Sequence, residues 1–175
     1  MGILLPDLDE LSIAVCTSKV TSDCIVDVFD HWWDENKPRF PDIDTLVLLQ
    51  DNGPENSGRR TPFLARMVNF VEKHQVNVRL AYYPPYHSKY NPVEGCWGVL
   101  ERHWNGALLD TVDAVVGYAQ SMTWKQQHPV VRLVTQTYES GVRLSKKAMK
   151  PVESRLSRLP YLSSWFIDIC CQGAI

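Results

Sequence analysis

The chain has 175 residues and a mass of 20.0 kDa, which is the size of one ordinary domain. Hydrophobic residues make up 45% and charged residues 22% of the sequence, which excludes a disordered or collagen-like protein. The longest aliphatic run, 46–49, is far shorter than the roughly 20 apolar residues that a membrane-spanning helix needs. The five cysteines include no C-x-x-C pair, which indicates neither a zinc cluster nor an oxidising compartment, and we expect a soluble intracellular protein.

Charge is distributed unevenly along the chain, although the net charge is only −2. Residues 1–44 contain ten acidic and three basic side chains, so residues 45–175 have a net charge of +5 and could face an anion. The most basic segment is 143–158, whose charge density is compatible with phosphate contacts; a solvated helix face is the alternative. Its basic residues are Arg143, Lys146, Lys147, Lys150, Arg155 and Arg158, against Glu153 alone.

Strand and helix signals alternate along the first half of the chain. Residues 11–16 form a short β-branched run typical of a strand, and Thr21 is placed to cap a helix of about four turns that ends before Pro38 and Pro41. Thr45–Gln50 is apolar almost without alternation, which predicts a central parallel strand buried on both faces.

The alternation continues through the next fifty residues. A helix from Thr61 places Phe63, Met67, Phe70 and Val71 on one stripe, and 77–83 reads as another strand. Asn91 followed by Pro92 is a favoured helix start, with Val93, Trp97, Leu100 and Trp104 facing inward. Three strand–helix alternations predict an α/β sheet with right-handed crossovers.

The last third of the sequence favours helices. Asp110 or Thr111 caps a helix that reaches about Trp124, Pro129 begins another that Gly141 could end, and a basic helix follows Pro151. The tail 165–175 could add an edge strand. We therefore predict an α/β core over 1–108 and a mainly helical extension of the same domain over 109–175.

Two carboxylates stand where α/β proteins collect reactive groups. Asp51 follows the apolar run 45–50, and Glu94 lies near the start of the helix after the next strand, so both are expected at the carboxyl edge of the sheet. Carboxylates held together repel one another unless they share a divalent cation, and Mg²⁺ or Mn²⁺ prefers such oxygen ligands. Each residue also has a structural alternative: Asp51 begins the turn sequence Asp-Asn-Gly, and Glu94 could complete a capping box with Asn91.

Other motifs point less clearly to chemistry. The loop with Gly53 and Gly58 lacks the G-K-S/T of a phosphate-binding loop. Cys96 has no evident catalytic partner, and a buried thiol is the simpler interpretation. The histidines His31, His74 and His128 show no metal-ligand spacing and are interpreted as structural.

Three segments resemble the catalytic domain of bacterial insertion-sequence transposases of the DDE type. The segment 83–97, YPPYHSKYNPVEGCW, resembles the last catalytic block of insertion-sequence and mariner-like transposases. Together with 46–58 and 108–131 it resembles the ISAzo group, over roughly residues 5–169. The resemblance implies a ribonuclease H-like mixed sheet flanked by helices, in which three acids hold two divalent ions, Mg²⁺ or Mn²⁺, for cutting and joining DNA.

The resemblance also implies roles for individual residues. Asp51 corresponds to the second acid and Glu94 to the third, so both are the implied catalytic and metal-binding residues. Basic and tyrosine side chains near the site and on the basic segment would contact the DNA backbone. Each of them is equally well explained as an ordinary surface residue. The set comprises Lys89, Tyr86, Tyr90, Arg59, Arg60, Lys146, Lys147 and Lys150.

The start of the chain departs from the pattern of the family. The strand at 11–16 matches the third strand of the fold, so the first two strands, and with them the first acid, are expected to be missing. The resemblance thus implies that residues 1–108 are a partial ribonuclease H-like catalytic core. Asp7, Asp9 and Glu10 precede that strand on a turn, where they do not replace the first acid. We therefore expect an N-terminally truncated and inactive fragment of a cytoplasmic, nucleoid-associated bacterial protein that needs no small-molecule cofactor, with a homo-oligomer as an open alternative.

Two other functions stay open from the sequence alone. The chain could be a non-catalytic product that binds DNA or a full-length partner through its helices and basic segment. It could also be a related ribonuclease H-like nuclease or integrase.

Overall fold

The computed structural model describes residues 1–84, 87 and 90–171. The chain forms two compact units from interleaved segments: a first unit of residues 1–19 and 88–138, and a second unit of residues 20–87 and 139–175. The elements in chain order are β1 (Gly2–Leu5), β2 (Glu10–Cys16), α1 (Ser22–Asn36), a 3₁₀ turn (Lys37–Arg39), β3 (Thr45–Gln50), α2 (Thr61–His74), β4 (Asn77–Tyr82), α3 (Pro92–His103), α4 (Val112–Ser121), β5 (Val130–Val134), α5 (Lys146–Glu153), β6 (Leu156–Arg158) and β7 (Phe166–Ile169).

The first unit contains a mixed sheet of three strands in the order β1-β2-β5. β1 pairs antiparallel with β2, from Gly2 opposite Ile13 to Leu5 opposite Glu10, and β5 pairs parallel with β2. The core of this unit joins the sheet to α3 and α4, with Leu11, Ile13, Cys96, Leu100, Ala119 and Met122 buried together.

The second unit contains a mixed sheet of four strands in the order β3-β4-β7-β6. β3 and β4 are parallel and in register from Thr45 opposite Asn77 to Gln50 opposite Tyr82, whereas β7 is antiparallel to both of its neighbours. Helix α2 contacts β4 and β7 and also packs against α1 and α5. The α/β class predicted from the sequence is therefore confirmed, with two mixed sheets flanked by helices.

The predicted helix starts and apolar stripes are largely confirmed. Thr21 caps α1, its hydroxyl accepting a hydrogen bond from the Cys24 amide at 3.3 Å. Asn91 precedes α3 as predicted, although its side chain makes no capping hydrogen bond. The α2 stripe is buried throughout, at Phe63, Met67, Phe70 and Val71, because these residues recur at helical spacing on the side that faces the sheet.

The prediction that β3 is buried on both faces is wrong. β3 is the edge strand of its sheet, and alternate residues are exposed, Val47 by 57% and Leu49 by 50%. An apolar run without alternation cannot by itself distinguish a central strand from an edge strand, because edge position depends on distant pairing partners.

Several predictions for the two ends of the chain are also wrong. Val130–Val134 forms a strand rather than a helix begun by Pro129, which agrees with the β preference of its three valines. The basic helix begins at Lys146, capped by Ser145, and contains Pro151 instead of following it. β7 lies between β4 and β6 and is not an edge strand, so residues 109–171 are mixed rather than mainly helical. The expectation that no strand precedes the segment 11–16 is wrong, because β1 pairs with β2, and Glu10, which was expected on a turn, is the first residue of β2.

The division of the chain into domains after residue 108 stays a prediction. In the part of the chain that the structure describes, none of the helices has both the length and the apolar character needed to cross a lipid bilayer.

The different burial of two leucines in neighbouring strands gives a test of the fold. Leu80 in β4 is fully buried, whereas Leu49 in β3 is 50% exposed. We expect Leu80→Ala to lower the free energy of unfolding by about 2–5 kcal/mol through a cavity, and Leu49→Ala by about 1 kcal/mol or less. Urea unfolding followed by tryptophan fluorescence measures both changes, and equal effects would contradict the assignment of β3 to the edge.

Candidate functional site

Asp51 lies directly after β3, at the carboxyl end of the parallel pair formed with β4. Its side chain is exposed, and Oδ1 accepts a hydrogen bond from Asn56 Nδ2 at 3.1 Å. The same amide nitrogen donates to Gln50 Oε1 at 3.1 Å. Because β3 and β4 are parallel and α2 connects them, the sequence Asp-Asn-Gly does not form the tight hairpin that was its structural alternative.

Asn56 also ties the loop after Asp51 to the end of β4. Its backbone oxygen accepts a hydrogen bond from the Tyr82 hydroxyl at 2.9 Å, and burial raises the pKa of this hydroxyl, which therefore stays protonated. Further along the loop, a Cβ at Gly58 would lie 2.8 Å from Ile167 Cδ1, so the backbone passes close to the sheet. Asn56 thus links the Asp51 carboxylate to Tyr82 at the end of β4, and the absence of a side chain at Gly58 allows the loop to pack closely on the sheet. The sequence did not single out Asn56, because one polar residue in a polar loop gives no signal of its own.

Glu94 lies in the first turn of α3 and is exposed. Its amide donates to the Asn91 carbonyl at 3.0 Å, which is the ordinary start of the helix. In the described residues no hydrogen bond joins the Glu94 carboxylate to the Asn91 amide, so the capping box is not formed. Asp51 belongs to the second unit and Glu94 to the first, and their shared binding of an ion stays a prediction.

Arg60, one of the two arginines predicted to contact DNA, is engaged within the protein. Its Nε and Nη2 donate to Glu55 Oε2 at 3.1 and 2.9 Å, and the Ser22 hydroxyl donates to the same carboxylate oxygen at 3.0 Å. Burial alone would raise the pKa of Glu55, but the hydrogen bonds from Ser22 and Arg60 outweigh it and hold this pKa below its ordinary value of 4.5. Arg60 therefore fastens the loop to the start of α1.

The other residues predicted to contact DNA are mostly on the surface. Arg59 is exposed, with a long hydrogen bond of 3.5 Å to Ser164 Oγ. Tyr90 is 62% exposed. Tyr86 and Lys89 lie outside the described residues. The three lysines of α5 are exposed, while Met149 between them is buried and anchors the helix; they are Lys146, Lys147 and Lys150.

A cluster that the sequence did not predict joins the ends of α1 and α2. His74 Nε2 lies 2.6 Å from Asp30 Oδ1, and His74 Nδ1 lies 3.7 Å from Asp34 Oδ1. Lys73 Nζ lies 2.6 Å from Asp30 Oδ2 and 3.0 Å from Asp34 Oδ2. Among the described residues, this is the one group of at least three acidic, histidine or cysteine side chains that could hold a metal ion.

The cluster shifts the ionisation of its members. Burial alone would raise the pKa of Asp30, but the hydrogen bonds from Lys73 and His74 outweigh it, and this pKa lies below its ordinary value of 3.8. Hydrogen bonds to Asp30 and Asp34 raise the pKa of Lys73. Asp30 is therefore an anion at neutral pH. The partners of His74 come from another helix about forty residues earlier, which explains why local spacing gave no sign of the cluster.

Cys96 is inert, as interpreted from the sequence. It is fully buried, and burial raises the pKa of its thiol to about 11. The thiolate that a nucleophile needs is therefore scarce at neutral pH.

The chain matches one protein family over nearly its whole length. The model of that family, described as a Rhodopirellula transposase DDE domain, matches residues 1–171. No curated protein and no solved structure matches the chain significantly.

The neighbouring arginines differ in their contacts and give a test of the loop. We expect Arg60→Gln to lower the free energy of unfolding by about 1–2 kcal/mol, because it leaves the partly buried Glu55 carboxylate without its ionic partner. Arg59→Gln should change this free energy by less than about 0.5 kcal/mol. Chemical unfolding of both variants measures the difference, and an equal effect of the two would contradict the ion pair of Arg60.

Proposed function

The chain belongs to the Rhodopirellula transposase DDE domain family, and on this premise we propose that it is the ribonuclease H-like catalytic region of an insertion-sequence transposase acting on DNA. The observation that carries the proposal is the match over residues 1–171, which contains both Asp51 and Glu94. The α/β architecture with two mixed sheets is compatible with this fold.

We propose Asp51 and Glu94 as the ligands of a divalent ion, Mg²⁺ or Mn²⁺. Both are exposed carboxylates at element ends, and oxygen donors of this kind are those that these ions prefer. Bound ions of this class supply Lewis-acid activation of water or of a 3′-hydroxyl for in-line attack on a phosphodiester. Asn56 orients the Asp51 carboxylate by donating to Oδ1, so that Oδ2 is left to face a ligand.

The start of the chain matters for catalytic activity, because the resemblance implies that the first of the three acids precedes Asp51. β1 contains no acidic residue, Asp7 and Asp9 lie on the turn between β1 and β2, and Glu10 is the first residue of β2. The three-acid site implied by the resemblance is therefore supported at two positions, Asp51 and Glu94. Two ligands hold an ion weakly, which favours a chain that binds metal but does not catalyse transposition by itself.

Contact with the DNA backbone is proposed for the basic surface residues. Lys146, Lys147 and Lys150 lie at i, i+1 and i+4 on α5 and thus share one face, and Met149 and the packing of α5 on α2 hold that face in place. Arg59 is proposed for the same role beside Asp51, whereas Arg60 is already paired with Glu55. Such contacts position DNA without reading its sequence.

The first test concerns the metal ligands. We expect Asp51→Asn and Glu94→Gln each to weaken Mn²⁺ binding by about tenfold or more, because each removes a charged oxygen donor. Glu101→Gln, on the same helix as Glu94 and also exposed, is the matched control and should bind as the unchanged chain does. Titration of the 175-residue protein with Mn²⁺, followed by electron paramagnetic resonance, measures the binding.

The same proteins should show no strand transfer of transposon ends with Mg²⁺ or Mn²⁺. Metal-dependent cleavage that disappears in Asp51→Asn and Glu94→Gln would contradict this expectation and leave the family assignment intact. Cleavage without joining would instead favour a related nuclease. Unchanged Mn²⁺ binding in both variants would contradict the proposed ligands.

The second test concerns DNA. We expect replacement of Lys146, Lys147 and Lys150 by Ala to weaken binding of duplex DNA. The slope of log affinity against log salt should fall by up to about 0.9 for each phosphate that the variant no longer neutralises. Lys125→Ala, which removes an exposed lysine near Asp9, is the control and should leave the slope unchanged. Fluorescence anisotropy across a salt series measures both.

The outcomes of this experiment separate the open functions. Salt-dependent binding without cleavage would favour a non-catalytic DNA-binding product. An unchanged slope in the triple variant would rule out the α5 surface as the place where DNA binds.

A further inference from the structure

The cluster of Asp30, Asp34 and His74 is built like a metal site around one histidine. The His74 side chain is 4% exposed, and its two ring nitrogens face two different carboxylates. Nε2 is within hydrogen-bond distance of Asp30 Oδ1, at 2.6 Å, whereas Nδ1 lies 3.7 Å from Asp34 Oδ1. We propose that His74 and Asp34 bind a divalent transition-metal ion such as Zn²⁺, with Asp30 as the residue that orients the imidazole.

The orientation of the ring follows from its contact with Asp30. Asp30 Oδ1 lies 2.6 Å from Nε2, so an ion bound at Nδ1 would leave Nε2 to donate its proton to this carboxylate. Metal-binding histidines usually donate their other ring N–H to a carboxylate in this way, which fixes the tautomer and raises the basicity of the ligand nitrogen. The pair of Asp30 and His74 has this arrangement before any ion is bound.

The distance between the two ligand atoms is close to that of a coordinated pair. Zinc lies about 2.0–2.2 Å from nitrogen and carboxylate ligands, so two donors of one ion are about 3.0–3.6 Å apart at angles between a right angle and tetrahedral. His74 Nδ1 and Asp34 Oδ1 are 3.7 Å apart. The Asp34 side chain is 49% exposed and can close the small difference by rotating.

Lys73 occupies the other oxygen atoms of the cluster. Its Nζ contacts Oδ2 of Asp30 and Oδ2 of Asp34, which leaves the Oδ1 atoms facing the ring. The ammonium therefore does not fill the space between Nδ1 and Asp34 Oδ1, but its positive charge opposes a second cation. Lys73 is thus expected to weaken metal binding without preventing it.

A cavity lies beside the cluster and is lined in part by the two proposed ligands, Asp34 and His74. It has a volume of about 550 Å³, and its lining includes Trp33, Asp34, Lys37 and His74. The cavity leaves room for the water ligands that an ion bound by His74 and Asp34 would keep.

The donor set indicates which ions are preferred. Imidazole nitrogen with carboxylate oxygen suits Zn²⁺ and related transition metals better than Mg²⁺, which prefers oxygen donors alone. The site also differs from the proposed catalytic one in its residues, since it uses neither Asp51 nor Glu94. Its two protein ligands leave coordination positions for water or for an anion in the cavity.

The test is a titration of the 175-residue protein with ZnCl₂, observed through the ¹⁵N shifts of the histidine rings. We expect Nδ1 of His74 to move on metal binding while Nε2 keeps its proton, and His103 and His128 to serve as internal references. Asp34→Asn should weaken Zn²⁺ binding by about tenfold or more, whereas Glu35→Gln, the adjacent exposed acid on α1, should not change it. Lys73→Met should tighten binding several-fold by removing the competing charge.

The results of the Zn²⁺ titration either support or contradict the proposed site at His74 and Asp34. Movement of Nδ1 that disappears in Asp34→Asn, in a variant with an unchanged circular dichroism spectrum, supports it. A His74 ring that does not respond to Zn²⁺, or equal affinity of Asp34→Asn and the unchanged chain, overturns it. Asp51→Asn should leave the His74 response intact, so failure of the proposed catalytic ligands and failure of this site are distinguished.

Discussion

The parallel pairing of β3 with β4 is the constraint on which the second unit depends. Because parallel strands need a long crossover, the chain leaves β3 at Gln50, forms a loop and α2, and returns to start β4 at Asn77. The carboxyl ends of both strands therefore meet at one edge, where Tyr82 and Asn56 hold the loop that carries Asp51. The position of this carboxylate thus follows from strand register and is then fixed by side-chain hydrogen bonds.

The acidic start of the sequence has an internal explanation. Asp23, Asp27, Asp30 and Asp34 recur at helical spacing along α1, and they face Arg66 and Lys73 on α2. Four of the ten acidic side chains of residues 1–44 are therefore paired with cations of α2 within the second unit. In contrast, the Asp51 carboxylate accepts a hydrogen bond from a neutral amide, and no cation pairs with Asp51 or Glu94 among the described residues. This difference separates Asp23 and Asp27, which stabilise helix packing through Arg66, from Asp51 and Glu94, whose carboxylates have no cationic partner among the described residues.

Sequence reasoning succeeded where the signal was local and failed where it depended on distant partners. The Thr21 cap of α1 and the apolar stripe of α2 follow from residues within a few positions of each other, and they were predicted. The edge position of β3, the interior position of β7 and the strand at Val130–Val134 depend on pairing between distant segments, which periodicity does not encode. The pairing of His74 with Asp30 was missed for the same reason, whereas the proposed roles of Asp51 and Glu94 rest on local signals, because Asp51 follows an apolar run and Glu94 lies near a helix start.

The proposed function depends on the proposal that Asp51 and Glu94 are ligands of a divalent ion. A crystal structure of the protein grown with Mn²⁺ tests this most directly, because anomalous scattering locates the ion independently of the protein atoms. We expect an anomalous peak within coordination distance, about 2.0–2.6 Å, of carboxylate oxygens from both residues. Peaks that contact only one of them, or neither, with the two carboxylates held too far apart to share an ion, would contradict it.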